Sequence, residues 1–463
     1  MNFHRPFFQR FSRRFNSRIA FFVPHSFIFA ILLSFTVYLL GIFVALQGPF
    51  DMVKYWVNGF WNFLGFAMQL VLLVAAGVSV AISPVSQRIL RSLARISPSP
   101  QRAMVLITAL VALCSWVHWA IGILAGSFLA RETGKRLAKA DYPMLVASAF
   151  IGLWAGNFGF AALESPAMRG TRAFLGASIG SEALPQTSLS LIILAGFLLG
   201  TLAVAILMGF LCPEEKDAVR MDFTILERFQ EEEDAEEVLL AAEKDFRQPG
   251  RRSLGVWLEH SRWPVWLASI MGFSYIVFWF YGNDFVLTLN MINFILFVFA
   301  LVLHDTPVHF LKSMERSART ASGIIVQFPF YAGIQGMLAA SGLVGILFGW
   351  IGSVAGALSY PAFVYLATLV VNLFAPTAQG IWEVQGSLVI QGAQMLGASV
   401  PRALLALSAG ETIGNVIHPF WAIPLMGICG LSMRDIMGYC LVALGMLSLI
   451  WIVCLTFVPI VIR

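Results

Sequence analysis

The 463-residue sequence predicts an all-α membrane protein that crosses the bilayer many times, built from two inverted repeats that each contain a re-entrant hairpin and a broken helix. The chain is 59% hydrophobic and only 12% charged, whereas about a quarter of the residues in a soluble domain are charged. Apolar stretches of about 20 residues, each long enough to cross a bilayer as a helix, recur along the chain. Sequence features of the first half also return 258 residues later. These observations argue against a soluble enzyme, a nucleic-acid-binding protein and a disordered chain, although the formal charge is +5.

Hydropathy alone indicates the crossing stretches, and with two hairpins they give about 9–11 membrane segments. They lie near residues 26–47, 60–82, 142–163, 187–211, 263–281, 286–303, 320–340, 402–424 and 436–461. Basic residues collect in loops that face the cytoplasm, and the tail before the first stretch contains five arginines. We therefore predict a cytoplasmic N-terminus, and we expect no cleavable signal peptide.

Two stretches are predicted to enter the membrane and return on the same side. Residues 103–130 lie between basic patches that are both expected inside, but two full crossings need about 40 residues. A re-entrant hairpin with its tip at 115–119 resolves this conflict, because polar backbone is tolerated at that depth only where protein or water covers it. The repeat predicts a second hairpin at 361–391, with its turn at 376–380. Residues 341–358 are expected on the outer surface, although their hydropathy would also allow a span.

The internal repeat rests mainly on residues that interrupt helices. At an offset of 258, Pro143, Gly152, Gly156, Asn157, Pro166 and Met168 match Pro401, Gly410, Gly414, Asn415, Pro424 and Met426. Because an odd number of crossings separates the copies, the second copy is predicted to be inverted. We interpret the Gly-x3-Gly-Asn pairs as helix breaks near mid-membrane, and close helix packing through glycine is the alternative.

The predicted organisation follows from the repeat and from one charged segment. It comprises a basic cytoplasmic tail at 1–25, a first transmembrane repeat at 26–211, an acidic cytoplasmic loop at 212–262, a linker helix at 263–285 and a second transmembrane repeat at 286–463. The loop contains 14 of the 25 acidic residues. We interpret it as a solvated linker, and a regulatory or partner-binding role is the alternative.

Polar side chains inside the membrane mark the candidate site, because a charge at the bilayer centre costs at least about 2.5–3.5 kcal/mol on insertion scales. The ionisable candidates, for which a satisfied structural hydrogen bond and a role in substrate or proton handling are equally plausible, are His118, Glu383, Glu411 and His418. Side chains that could coordinate a carboxylate or a sodium ion are Ser115, Asn157, Thr377, Gln379, Thr412 and Asn415. Candidates for the wall around an apolar tail, with interfacial anchoring as the alternative, are Trp116, Trp119 and Trp382.

Inverted repeats with hairpins and broken helices are typical of secondary transporters, whose substrates bind near mid-membrane. The sequence contains no Walker A motif, dinucleotide fingerprint or H-E-x-x-H, and its five cysteines lack metal-ligand spacing. We therefore expect neither an ATP-driven pump nor a cofactor or metal enzyme, and only a coupling Na+ or H+ as a bound ion. A membrane-embedded hydrolase that uses His118, His418 and Glu411 is the remote alternative.

Several sequence blocks carry a resemblance to a known family. They are Val-Gln-Phe-Pro-Phe-Tyr-Ala-Gly-Ile-Gln at 326–335, His-Pro-Phe-Trp-Ala-Ile-Pro at 418–424, Asp-Ile-Met-Gly-Tyr-Cys at 435–440, and shorter blocks at 59–62, 128–132 and 141–143. Over nearly its whole length the chain resembles the short-chain fatty acid uptake transporter family. The resemblance implies a bacterial inner-membrane carrier for small monocarboxylates such as butyrate or acetoacetate, with two inverted repeats that contain hairpins. The chain departs from the family pattern at both hairpin tips, where His118 replaces an asparagine and Pro376–Trp382 lacks two glycines and a histidine.

The combined prediction is a secondary active transporter for short-chain fatty acids or similar monocarboxylates, driven by a H+ or Na+ gradient. Helix N-terminal amides would hold the carboxylate beside Asn157 and Asn415, and protonation of His118, His418 or Glu411 would couple transport to pH. A carrier for a dicarboxylate or an amino acid is the alternative, which the lack of Arg or Lys at depth disfavours. The expected partners are the small carboxylate and the lipid bilayer, with a homodimer left open and no nucleic acid.

Overall fold

The computed structural model describes residues 5–158, 191–246, 253–283 and 287–459, and in these ranges it contains helices and no strands. The helices of the tail and first half are α1 (Arg5–Phe22), α2 (Ser26–Phe43), α3 (Pro49–Phe60), α4 (Leu64–Ile82), α5 (Pro84–Ala94), α6 (Pro100–Val117), α7 (Trp119–Arg136), α8 (Tyr142–Gly156) and α9 (Leu191–Leu211). The end of the predicted stretch 142–163, the start of 187–211, and Pro166 and Met168 of the repeat lie outside the described residues.

The acidic segment forms α10 (Phe223–Phe246) and α11 (Leu254–Glu259), and the linker helix is α12 (Trp263–Gly282). The helices of the second half are α13 (Leu289–His304), α14 (Pro307–Arg319), α15 (Ser322–Ser341), α16 (Leu343–Val354), α17 (Tyr360–Asn372), α18 (Ala378–Met395), α19 (Val400–Gly414), α20 (Pro419–Cys429) and α21 (Met433–Phe457). A short 3-10 turn at Asn415–Ile417 follows α19.

Among the described helices, seven are long and apolar enough to cross a membrane: α2, α4, α6, α9, α12, α15 and α21. The pair α19 and α20 would add one more span, although it is bent by 43° at His418. The prediction of an all-α polytopic membrane protein is therefore confirmed. Residues 341–358 do not form a span, because α16 has only 12 residues and is thus about 18 Å long, well short of a bilayer core.

A polar cap and a proline define where the corresponding helices α8 and α19 begin. Asp141 Oδ1 accepts a hydrogen bond from the Met144 N–H at 2.9 Å, and Ser399 Oγ accepts one from the Arg402 N–H at 3.4 Å. Each helix also has proline in its first two positions, where the missing N–H has no helical partner to lose. The two helices begin and end 258 residues apart, which is the offset of the sequence repeat.

The first predicted hairpin is present as an antiparallel helix pair. Only His118 separates α6 from α7. A Cβ atom added to Gly122 would lie 3.0 Å from the Cβ of Ser115, and one added to Gly126 would lie 3.2 Å from the side chain of Val111. Residues equally far from the turn therefore face each other, as a hairpin requires.

The second hairpin pairs α17 with α18, and the Tyr360 hydroxyl donates to the Val389 carbonyl at 3.0 Å between them. The first hairpin is longer than the predicted 103–130, because α7 continues through basic residues to Arg136 and α6 alone is long enough to cross a membrane. That each hairpin enters the bilayer and returns stays a prediction.

Contacts between α8 and α20 bear on the orientation of the two halves. Tyr142, at the start of α8, donates its hydroxyl to the carbonyl of Cys429, at the end of α20, at 2.8 Å. Near the opposite ends of these helices, the rings of Trp154 and Trp421 lie 5.2 Å apart. The two helices are therefore antiparallel. Since α20 continues α19, the counterpart of α8, these contacts support the inverted repeat, which stays a prediction for the halves as a whole.

The repeated glycines of the first half are positions of close helix packing. A Cβ atom on Gly152 of α8 would lie 2.5 Å from the carbonyl oxygen of Thr108 on α6. One on Gly156 would collide with the backbone of Ala112. α8 can approach α6 this closely only because both positions lack a side chain.

The glycines of the second half pack in the same way. A Cβ atom on Gly410 would lie 2.7 Å from the carbonyl oxygen of Tyr365 on α17. Gly410 lies within α19, whereas the α-helix ends at Gly414 and the chain bends at His418, after the 3-10 turn. Gly156 likewise is the last residue of α8. Close packing therefore accounts for Gly152 and Gly410, while the α-helices end at the second glycine of each pair, and in the first half the residues after Phe158 lie outside the described ranges.

Part of the acidic segment docks on the helices. Phe229 of α10 is fully buried, and the guanidinium carbon of Arg131 lies 3.8 Å from its ring centroid. Arg131 Nη1 also donates to Glu232 Oε2 at 2.8 Å. Arg228 donates to the carbonyl of Gly427, near the end of α20, at 3.3 Å. We call these five residues the loop clasp, because they attach α10 to the ends of α7 and α20.

The variant Gly156→Ala should be destabilised, because its methyl group collides with the backbone of Ala112. We expect the free energy of unfolding to fall by roughly 1–3 kcal/mol, measured by thermal or denaturant unfolding of the purified protein in detergent. Gly445→Ala is the matched control within α21, where a Cβ atom has open space, and it should be neutral or stabilising by up to about 1 kcal/mol. Equal stability of the two variants would contradict close packing of α8 on α6.

The variant Glu232→Gln should loosen the loop clasp, because it leaves the buried guanidinium of Arg131 without its closest carboxylate. We expect a loss of roughly 1–3 kcal/mol in unfolding free energy, below the cost of breaking a fully buried pair, and faster limited proteolysis within α10. Glu214→Gln is the control, because its pair with Lys216 is half-exposed and contributes about 0–1 kcal/mol. If both variants resist protease as the parent does, the clasp does not hold α10 in place.

Candidate functional site

A large cavity lies where the turns of both hairpins meet the end of α8. Its volume is about 1090 Å³, and α4, α13, α15, α19 and α20 contribute further wall residues. Eight of the predicted candidates line it: His118, Trp119, Asn157, Thr377, Gln379, Glu383, Glu411 and Thr412. The predicted candidates that do not line it are Ser115, Trp116, Trp382, Asn415 and His418.

One side of the cavity is aromatic, with Trp421 at its centre. The ring of Trp421 lies 5.2 Å from Trp119 and 5.2 Å from Trp154, edge to face in both cases. Its indole Nε1 donates to the carbonyl of Pro376 in the second hairpin turn at 2.7 Å. This hydrogen bond satisfies the only polar atom of the side chain, so that the ring acts as an apolar surface. We call the following cavity-lining side chains the aromatic wall: Phe63, Phe66, Trp119, Trp154 and Trp421.

The start of α18 forms a polar side of the cavity. Thr377 Oγ1 accepts the Gly380 N–H at 3.1 Å and so caps the helix. The same hydroxyl donates to Gln335 Oε1 of α15 at 3.3 Å. In the first turn of α18, Gln379 Nε2 donates to Oε1 of Glu383, one turn further along, at 2.8 Å on an exposed part of the helix. The second hairpin turn is thus fixed by hydrogen bonds to its own helix and to α15.

Glu411 is a buried carboxylate whose neighbours are neutral. It is 8% exposed, and its two oxygens accept hydrogen bonds from Thr412 Oγ1 at 3.1 Å and from Asn415 Nδ2 at 3.0 Å. Asn415 Oδ1 in turn accepts Asn372 Nδ2 of α17 at 2.9 Å. Within the described residues, Glu411 forms no ion pair. A buried carboxylate in this setting gains stability from a bound proton or cation.

Two of the buried histidines, His118 and His418, each cap a helix that begins in the protein interior. His118 Nδ1 accepts the Ala120 N–H at 3.1 Å, and His418 Nδ1 accepts the Phe420 N–H at 3.1 Å. An accepting Nδ1 assigns the neutral tautomer to both rings. His418 Nε2 then donates to the carbonyl of Leu373 at 3.0 Å, so both of its nitrogens are used structurally. His118 alone of the two also lines the cavity.

The remaining predicted residues have packing roles. Ser115 Oγ donates to the carbonyl of Leu153 at 2.7 Å and ties α6 to α8. The ring of Trp116 lies 4.1 Å from that of Phe197 on α9. Trp382 packs beside Gly386, one turn further along α18. These three side chains are not among the residues that line the cavity.

Sequence reasoning missed four wall residues that have recognisable signals. Trp154 precedes Asn157 by three positions, a spacing that places both on one face of a helix. Trp421, Gln335 and Asn62 lie inside the blocks that carry the family resemblance, yet none of them is ionisable. A search for charged groups at depth therefore passes over them, although all four line the cavity.

Comparison with known proteins identifies the family. The family described as "Short chain fatty acid transporter" matches residues 7–458. The chain belongs to this family. It is 34% identical over 457 residues to a protein of Escherichia coli K12, covering 96% of this chain and 98% of that one. It is 32% identical over 463 residues to a protein of Haemophilus influenzae, covering 97% and 99%. Both relatives are named "Putative short-chain fatty acid transporter".

This membership confirms the predicted family and a transport protein rather than an enzyme. Two solved transporter structures are also similar to the chain. The Alcanivorax borkumensis YdaH transporter matches 94% of this chain and 99% of its own at a TM-score of 0.41 and 16% identity. Neisseria gonorrhoeae MtrF matches 97% and 98% at a TM-score of 0.38 and 14% identity. Similarity this low supports no statement about the site.

Two asparagine variants should separate structural roles from direct ones. Asn415→Ala removes the donor to Glu411 and the acceptor for Asn372, so the unfolding free energy should fall by roughly 1–3 kcal/mol. Asn157 is the matched comparison, because its Oδ1 has no hydrogen-bond partner, and Asn157→Ala should change stability by less than about 0.5 kcal/mol. Unfolding in detergent measures both. A larger loss for Asn157→Ala than for Asn415→Ala would refute these assignments.

Proposed function

We propose that the protein is a secondary active transporter for short-chain fatty acids or similar small monocarboxylates, such as butyrate or acetoacetate, coupled to H+ or Na+. One observation carries the proposal. In a member of this family, a single cavity combines the aromatic wall with the buried carboxylate of Glu411, which has no ionic partner among the described residues. An aromatic surface suits an acyl chain, and an uncompensated carboxylate suits a coupling proton or cation.

In this proposal the acyl chain lies against the aromatic wall. Burial of apolar surface there would favour binding by roughly 25 cal/mol per Å². The substrate carboxylate lies towards the start of α18, which Thr377 caps and where first-turn amides offer donors, and Asn157 lines the same cavity. Asn415 acts through Glu411, whose carboxylate it orients.

The charge of the cavity favours a monocarboxylate. The residues known to line it include no Lys or Arg, and a second carboxylate would require a fixed cation to offset its desolvation. A carrier of dicarboxylates or amino acids is therefore the second choice.

Coupling would use Glu411 as the group that is occupied by H+ or Na+ in one part of the cycle. Rocking of one structural element against another would alternate access to the cavity. We also propose a bacterial inner-membrane location with a cytoplasmic N-terminus, because basic residues precede the first span. A homodimer stays a prediction.

Uptake of labelled butyrate and acetoacetate into proteoliposomes tests the proposed substrate, under an imposed pH gradient and separately under a sodium gradient. We expect saturable uptake that one of the two gradients drives, which names the coupling ion. Unlabelled dicarboxylates and amino acids should not compete. Competition by these compounds, with no butyrate uptake by folded protein, would favour the second choice.

The variant Glu411→Gln should keep substrate exchange but lose gradient-driven accumulation by at least about tenfold, because the amide cannot carry the charge that coupling requires. The matched control is Glu383→Gln, which also alters a cavity-lining carboxylate but at an exposed position, and it should accumulate substrate almost as the parent does. The same proteoliposome assay, run with and without a gradient, measures both. Equal accumulation by the two variants would remove Glu411 from the coupling step.

A further inference from the structure

α5 is a short helix between two membrane-crossing helices. α4 ends at Ile82 and α6 begins at Pro100, and both are long and apolar enough to span a bilayer. α5 has 11 residues and is therefore about 16 Å long, too short to cross. Its position between the ends of two spans places it at the membrane surface.

The side chains of α5 divide into three faces. Gln87 and Ala94 are buried against the protein. Apolar residues at four-residue intervals, 41–56% exposed, form a second face: Val85, Ile89 and Leu93. Arg88 and Arg95, seven residues apart and both exposed, form a third face beside the apolar row. A helix with an outward apolar row and a flanking basic row is typical of one that lies in the membrane interface.

Three arginines of this region lack partners within the described part of the protein. The side chains of Arg88, Arg95 and Arg102 are exposed and make no hydrogen bond or ion pair in the described part of the chain. The basic residues of the neighbouring α7 are different, since Arg131 pairs with Glu232 and Lys135 pairs with Glu132. Arg131 is therefore compensated by the acidic loop and Lys135 by α7 itself, whereas these three arginines are left for an external anion.

The end of α5 is also tied to the first hairpin. Arg136 of α7 donates to the carbonyl of Ser97 at 3.0 Å and to that of Ala94. These hydrogen bonds hold the C-terminal end of α5 against α7. Arg88 and Arg95 therefore have a fixed position beside α4 and α6.

We propose that α5 and the start of α6 bind the headgroups of anionic phospholipids through Arg88, Arg95 and Arg102, with the apolar row of α5 inserted between the acyl chains. Clusters of basic residues on an amphipathic helix next to a span bind anionic lipid in this way, and guanidinium groups match the geometry of phosphate.

The second half contains a natural comparison. α16 follows α15 as α5 follows α4, and it begins 259 residues after α5. It contains no charged residue, and Ile346, Trp350 and Val354 are exposed on it by 48–60%. Headgroup selection should therefore be confined to the face of the protein that bears α5.

Native mass spectrometry of the purified full-length protein, offered equal phosphatidylglycerol and phosphatidylcholine in detergent, tests the proposal. We expect the protein to retain phosphatidylglycerol preferentially and to lose this preference as salt screens the charges. The triple variant R88Q/R95Q/R102Q should reduce the preference by roughly a hundredfold, at about fivefold for each arginine.

Two control variants separate charge from folding and from insertion. R88K/R95K/R102K keeps the charge and should keep most of the preference. Ile89→Gln with Leu93→Gln weakens insertion on the same helix but should leave the choice between headgroups unchanged. Equal retention of both lipids by the parent, an unchanged preference in the glutamine variant, or displacement of the lipid by inorganic phosphate would each overturn the proposal.

Discussion

Backbone amides at helix starts inside the membrane region must find acceptors within the protein, because hydrocarbon supplies none. Three helices of this chain, α7, α18 and α20, begin beside the cavity rather than at an end of the molecule. His118, Thr377 and His418 accept hydrogen bonds from their first-turn amides. The cavity depends on these three caps, since each one pairs a first-turn amide that would otherwise be left without an acceptor where the chain turns or bends at depth.

Close packing then brings the capped turns together. The glycines of α8 and α19 bring these helices against α6 and α17, the first helix of each hairpin. Trp421 connects the two halves at the same level, because its ring contacts Trp119 and Trp154 of the first half while its indole N–H binds Pro376 of the second. The aromatic surface of the cavity is therefore also the contact that holds the hairpin turns in register.

Local sequence patterns predicted the helices, both hairpins and the repeat, because apolar length, proline and glycine act over a few residues. They could not decide between breakage and packing at Gly410, since the answer depends on Tyr365 of another helix. They placed His418 inside the membrane, but they could not show that both nitrogens of its ring already form hydrogen bonds within the protein. α16 is as apolar as a span, and only its observed length excludes it.

The site was predictable where it is polar and much less so where it is aromatic. His118, Asn157 and Glu411 stand out in an apolar sequence because a polar group there is costly. Trp154 and Trp421 do not stand out among many aromatic residues, and their importance arises from a contact between halves. The extension of α7 past the apolar stretch has a similar origin, because the distant Phe229 shields Arg131.

The contacts of the loop clasp can form only in a particular order as the chain is synthesised. Arg131 can meet Phe229 and Glu232 as soon as α10 has left the ribosome, whereas the carbonyl of Gly427 that completes the clasp is made only about 200 residues later. At the usual speed of translation this interval lasts roughly 10–40 s. The contacts of Arg131 with α10 join residues of the part of the chain that is made first, whereas the contact of α10 with α20 can form only after that interval.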